Sequence, residues 1–102
     1  MIPIHNLETL EKPMFNSETF TQLFQNRSCR IEAIRSSLTA PGELYDQEED
    51  EWVILIEGEA ILEIEGVAHP LRRGDYCFIP KRTRHRVLFT SDNALWLGVF
   101  SS

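Results

Sequence analysis

The chain has 102 residues, a length that suits one domain with a single hydrophobic core. Its 42% hydrophobic and 25% charged residues are those of an ordinary globular protein, which sets aside disorder and membrane insertion. No apolar run approaches the roughly 20 residues of a spanning helix, and a net charge of −6 argues against nucleic acid and anionic membrane as partners.

The opening stretch MIPIHNLETLEKP has no basic region followed by an apolar block and no small-residue cleavage site, so a cytoplasmic location is expected. Two prolines and irregular apolar spacing make residues 1–16 an extended lead-in. Ser17 then offers an N-cap, Glu18 stands in the first turn, and Phe20, Leu23 and Phe24 follow at i, i+3 and i+4. This spacing predicts a short helix ending near Asn26. Residues 1–28 are therefore read as an N-terminal extension with a short helix, and residues 29–102 as the main β domain.

From Cys29 onward the pattern is that of strands. The segment 29–38 alternates imperfectly, Pro41-Gly42 marks a turn, and 51-EWVILIE-57 leads through Gly58 into 60-AILEIE-65. The sequence EGEA around Gly58 predicts a tight antiparallel hairpin. A turn at 72-RRGD-75 precedes 76-YCFIP-80, then 84-RHRVLFT-90, a turn at 91–93 and 94-ALWLGVF-100. Six or more short strands about ten residues apart, with no helix-length segment between them, predict an all-β sandwich or barrel. Strands 52–56 and 94–100 are apolar on both faces, which calls for a covered outer face, supplied by the N-terminal segment or by a second subunit in a homodimer. Trp52 and Trp96 are read as packing residues of that outer face.

Charge is unevenly placed. Five acids (Asp46, Glu48, Glu49, Asp50 and Glu51) crowd into 46–51, whereas six of the ten basic residues fall between Arg72 and Arg86. Cys29 and Cys77 form no CxxC pair, so neither a zinc knuckle nor a redox motif is supported. Cys77, inside an apolar run, reads as a buried, inert thiol.

The spacing of 74-GDYCFIPKRTRHRVLF-89 resembles the second motif of the cupins, which are small antiparallel β-barrels of jelly-roll type. Gly74, Pro80 and His85 occupy motif positions. Arg82 stands where a second glycine is usual, and Phe89 where an asparagine is. The first motif keeps its glutamate and glycine as Glu51 and Gly58, but its two histidines are replaced, by Tyr45 and Gln47 with a three-residue gap or by Leu44 and Asp46 with a four-residue gap. An upstream glycine is expected at Thr39, and Gly42 lies three residues late. The resemblance covers about residues 40–100 and looks closest to small single-domain bacterial cupins. It implies a cupin-type barrel in which two histidines, a glutamate and a further histidine hold a divalent metal such as zinc, iron, manganese or nickel.

Only Glu51 and His85 carry over directly as such ligands. Gln47 would add an amide oxygen to a metal set of Gln47, Glu51 and His85, and Tyr45 a phenolic oxygen. Strand alternation turns Val53 and Leu55 inward with Glu51, and Val87 and Phe89 inward with His85, leaving Arg84 and Arg86 outside. The result is one polar group per strand at a pocket mouth above an apolar lining. Arg82, in the loop at that mouth, is the candidate for reaching a small polar or anionic ligand. The remaining acids read as a solvated turn. Three functional readings stay open: a weakly ligated metal enzyme acting through Glu51 and His85, a metal-free cupin in which these two form a hydrogen-bonding acid–base pair, and a binding or regulatory module without catalysis.

Overall fold

The computed structural model describes residues 1–102. Eight strands follow one short 3-10 turn at Leu7–Thr9: β1 (Ser17–Gln25), β2 (Cys29–Ser37), β3 (Asp50–Glu57), β4 (Glu59–Ile64), β5 (Val67–Arg72), β6 (Tyr76–Ile79), β7 (His85–Thr90) and β8 (Ala94–Ser101). They form a five-stranded sheet in the order β1-β2-β8-β3-β6 and a three-stranded sheet in the order β5-β4-β7. Every pairing is antiparallel. The all-β architecture expected from the strand pattern is thus present. No helix is long and apolar enough to cross a membrane.

The expected helix over 17–26 is instead strand β1. It pairs with β2 from Ser17↔Ser37 to Gln25↔Arg30, with a bulge between Gln22 and Phe24. The bulge explains the misleading pattern. One extra residue at Leu23 breaks the two-residue period of the strand, so Phe20, Leu23 and Phe24 fall at a helix-like spacing although the backbone is extended. The only helical turn near the N-terminus is the 3-10 turn, capped by Asn6, whose Oδ1 accepts from the Glu8 N–H at 2.7 Å.

Gly58 is also not a hairpin turn. It carries the chain from the five-stranded sheet to the three-stranded one, because β3 pairs with β6 and β8 while β4 pairs with β5 and β7. Its φ of +90° suits glycine, and a Cβ there would meet Ser91 Oγ at 2.6 Å and Ala94 Cβ at 3.0 Å. The tight hairpin lies one strand later. Glu65 and Gly66, both at positive φ, join β4 to β5 in the two-residue turn that matches strand twist.

The core sits between the sheets, built by Ile34, Val53, Leu55, Ala60, Leu62, Ile79, Ala94 and Trp96. Trp96 belongs to this interior and not to the outer face. It lies opposite Leu55 on β3 and Ile34 on β2, both inward-facing core residues. Trp52, next to inward-facing Glu51, does turn outward and packs against Tyr76, with ring centroids 5.5 Å apart. A second bulge, where β4 meets β7, places Ile61 opposite Phe89 and Leu62 opposite Val87. Leu88 is left over and the parity flips, so Phe89 is exposed and Thr90 is buried in its place.

Candidate functional site

One end of the barrel interior holds a cavity of about 160 Å³. Tyr45, Gln47, Glu51 and His85 all line it, above Val53, Leu62, Ile79 and Val87. Strand β3 presents Glu51 inward because Val53 and Leu55 on the same face are core residues. His85 opens β7 and is anchored through its backbone, with Tyr45 N–H donating to the His85 carbonyl at 2.8 Å and His85 N–H donating back at 3.1 Å. This bridge holds Tyr45 against the imidazole, ring centroids 5.8 Å apart and 30° from parallel. Arg82 N–H donates to the Gln47 carbonyl at 2.8 Å and pins the next stretch of the same loop.

Glu51 and His85 are 7% and 6% exposed. His85 Nδ1 lies 2.9 Å from the Thr83 carbonyl, which can only accept, so Nδ1 carries a proton. Nε2 faces Glu51 Oε1 at 3.3 Å, and that same oxygen accepts from the Gln47 amide at 3.1 Å. An unprotonated Nε2 and a carboxylate would meet as two acceptors. The pair therefore holds one proton between them. Burial works against a charged imidazole, but the hydrogen bond to Glu51, the Thr83 carbonyl and the Glu51 charge together outweigh it and raise the His85 pKa above its ordinary 6.5. At 3.3 Å the contact is looser than the roughly 2.7–2.9 Å of a tight charge-assisted bond.

Arg82 lies outside the lining. Its guanidinium is 57% exposed and turned to Asp46 at 3.3 Å and Glu48 at 2.9 Å. Arg86, expected outside, contributes to the lining, while its Nε donates to Glu63 at 2.9 Å. Three further ionisable lining residues escaped the sequence reading: Glu18 from β1, and Arg30 and Glu32 from β2. Glu18 was hidden by the helix-like spacing of its segment. Arg30, Glu32 and Ile34 share one strand face, a signal that the alternation of 29–38 did carry.

A family model for the cupin domain matches residues 37–100. The chain belongs to the cupin family. Among solved structures, this cupin is similar to a candidate mannose-6-phosphate isomerase from Ralstonia eutropha, at 33% identity over 98% of this chain and 99% of the other, with a TM-score of 0.84. It is also similar to KdgF from Halomonas sp. (19% identity, 95% and 89% coverage, TM-score 0.81) and to an RmlC-like cupin from Shewanella frigidimarina (20%, 99% and 91%, 0.80). These two likenesses bear on the fold alone. No curated protein matches the chain.

The donors present do not fit the resident divalent ion that the family resemblance implies. No group of three or more His, Cys, Asp or Glu side chains converges anywhere in the chain. Both His85 nitrogens and Glu51 Oε1 already face protein partners, and Gln47 turns its NH2 rather than its oxygen to Glu51. Tyr45 supplies no phenolate, because burial, followed by the charges of Glu18, Glu43, Glu51 and Glu32, pushes its pKa upward. Cys77 is likewise held as a thiol, raised by burial and then by the Glu51 charge.

Proposed function

We propose that this cupin binds a small polar molecule in the barrel cavity and that Glu51 and His85 act on it as a pair sharing one proton. The observation that carries this reading is the pair's geometry: Nδ1 tied to the Thr83 carbonyl, Nε2 opposed to Oε1 at 3.3 Å, both side chains buried. A ligand hydroxyl or carbonyl reaching the pair from the cavity meets an imidazolium able to donate a proton and a carboxylate able to accept one. This is the equipment of general acid–base catalysis on a hydroxylated carbonyl compound, the class of step by which an isomerase moves a proton. The 33% identity to a candidate isomerase supports the same reaction class. Tyr45 stacks on the imidazole and Gln47 holds Oε1, so both are positioning residues.

NMR titration of the His85 side chain tests this reading. Its midpoint is expected above 6.5 in the wild type and lower in Glu51→Gln. A midpoint that Glu51→Gln leaves unmoved would remove the pair from the mechanism.

Self-association in the cytoplasm belongs to the same reading. Trp52, Tyr76 and Phe78 form an aromatic patch on the outer face of β3 and β6, with Tyr76 67% and Phe78 58% exposed, as a covered homodimer face requires. Sedimentation is expected to give a dimer that Phe78→Glu dissociates, and a wild-type monomer would contradict it.

A further inference from the structure

The loop between β6 and β7 sets one side of the His85 ring, and an acid outside the cavity holds that loop. β6 ends at Ile79, opposite Glu51 on β3. Pro80 has no N–H to extend the pairing. Arg82 then takes a φ of +61°, a left-handed backbone that residues other than glycine rarely adopt. Such a turn persists only where its surroundings hold it.

Two bonds from residues 47–50 do so. The Gln47 carbonyl accepts from the Arg82 N–H at 2.8 Å, and Asp50 Oδ1 accepts from the Lys81 N–H at 2.9 Å. The first runs from backbone to backbone and survives most substitutions. The second depends on one side chain. Apart from the His85 imidazole itself, Asp50 is the only side chain bonded to the backbone of residues 80–84. Its acidic neighbours act elsewhere: Asp46 and Glu48 meet only the Arg82 and Arg84 side chains, and Glu49 takes Arg30.

Two residues after Lys81, the Thr83 carbonyl stands 2.9 Å from His85 Nδ1. Asp50 and Glu51 are neighbours on β3, and alternation sends their side chains to opposite faces. Glu51 turns inward and meets Nε2 at 3.3 Å. Asp50 turns outward and reaches the same ring from behind, through the Lys81 N–H and the Thr83 carbonyl. Which nitrogen of a neutral imidazole carries the proton is set by the hydrogen bond the other one makes. A ring without the Thr83 contact is free to hold its proton on Nε2, where it blocks the acceptor that faces Glu51.

We infer that Asp50 is a positioning residue: by holding the Lys81 N–H it aims the Thr83 carbonyl at His85 Nδ1 and keeps the ring's proton there. This rests on the proposed reading of Glu51 and His85 as a pair, and adds the group that fixes the pair's other side.

The test is 15N NMR of the His85 ring in the full chain at an alkaline pH where the imidazole is neutral, with Lys81 amide exchange followed alongside. In the wild type the proton is expected on Nδ1, and a wild-type proton on Nε2 would overturn the assignment. Asp50→Ala is expected to speed Lys81 amide exchange at least about tenfold and to move the ring proton to Nε2. Asp50→Asn drops the charge but keeps an Oδ1 acceptor, and is expected to restore the wild-type ring signals. Asp50→Val, close to aspartate in shape and favourable in a strand, is expected to act as alanine does and replaces it if the alanine variant fails to fold. A proton that stays on Nδ1 in either apolar variant would overturn the assignment. So would an asparagine variant that matches alanine, because the cause would then be charge. None of these results removes the Glu51–His85 pair, which is tested at Nε2 by the Glu51→Gln titration. A midpoint unmoved in that titration would remove the pair and leave the Asp50 bond in place.

Discussion

Residues 45–51 run along the mouth of the barrel and put side chains of similar chemistry into two different settings. Tyr45, Gln47 and Glu51 line the cavity, whereas Asp46 and Glu48 form an exposed collar with Arg82 and Arg84. A carboxylate in the collar is hydrated, and its ion pair replaces water contacts at little net gain. Glu51 is only 7% exposed, so its bonds to Gln47 and His85 are screened less than the pairs of the collar. Burial, rather than residue type, distinguishes Glu51 from its acidic neighbours.

Glu51→Ala leaves the Gln47 amide and His85 Nε2 without their buried partner and is expected to cost about 1–3 kcal/mol in urea denaturation. A cost near zero would mean that the pair is as weakly coupled as the collar.

The second effect is one of pH. The folded state binds the His85 proton more tightly than the unfolded chain does, so the stability gained from it is fully present below about pH 6.5 and is lost as pH rises through the raised folded-state value. The stability gap between wild type and Glu51→Gln is therefore expected to be wider near pH 6 than near pH 9, by denaturation at both. A gap that widens with pH would reverse the sign assigned to the pair.

The smallest effect belongs outside. Arg82→Ala removes the exposed pairs to Asp46 and Glu48 and is expected to change stability by less than about 1 kcal/mol, leaving the His85 titration in place. A larger loss would show that the collar supports the site through more than the Arg82 backbone bond to Gln47, which alanine retains.

The legible parts of this site were those set by spacing along one strand. Gly74, Pro80 and His85, together with Glu51 and Gly58, pointed to the family, and alternation turned Glu51, Val53 and Leu55 to one face as found. What failed was decided by residues far away in sequence or by single-residue insertions. The bulge at Leu23 disguised β1 as a helix and concealed Glu18, and the bulge that leaves Leu88 unpaired turned Phe89 outward. Gly58 looked like a hairpin because a short gap between strands does not reveal that they join different sheets. Trp96 was misplaced because β8 is apolar on both faces, and only its pairing with Leu55 and Ile34 shows which face is interior.

In the proposed function a proton, and not a metal ion, joins His85 to Glu51. Metal analysis of the untagged protein after growth in metal-supplemented medium tests it most directly, with Glu51→Ala and His85→Ala measured alongside. Substoichiometric metal is expected in the wild type, with no change in either variant. One equivalent of divalent metal in the wild type, lost in both variants, would contradict it.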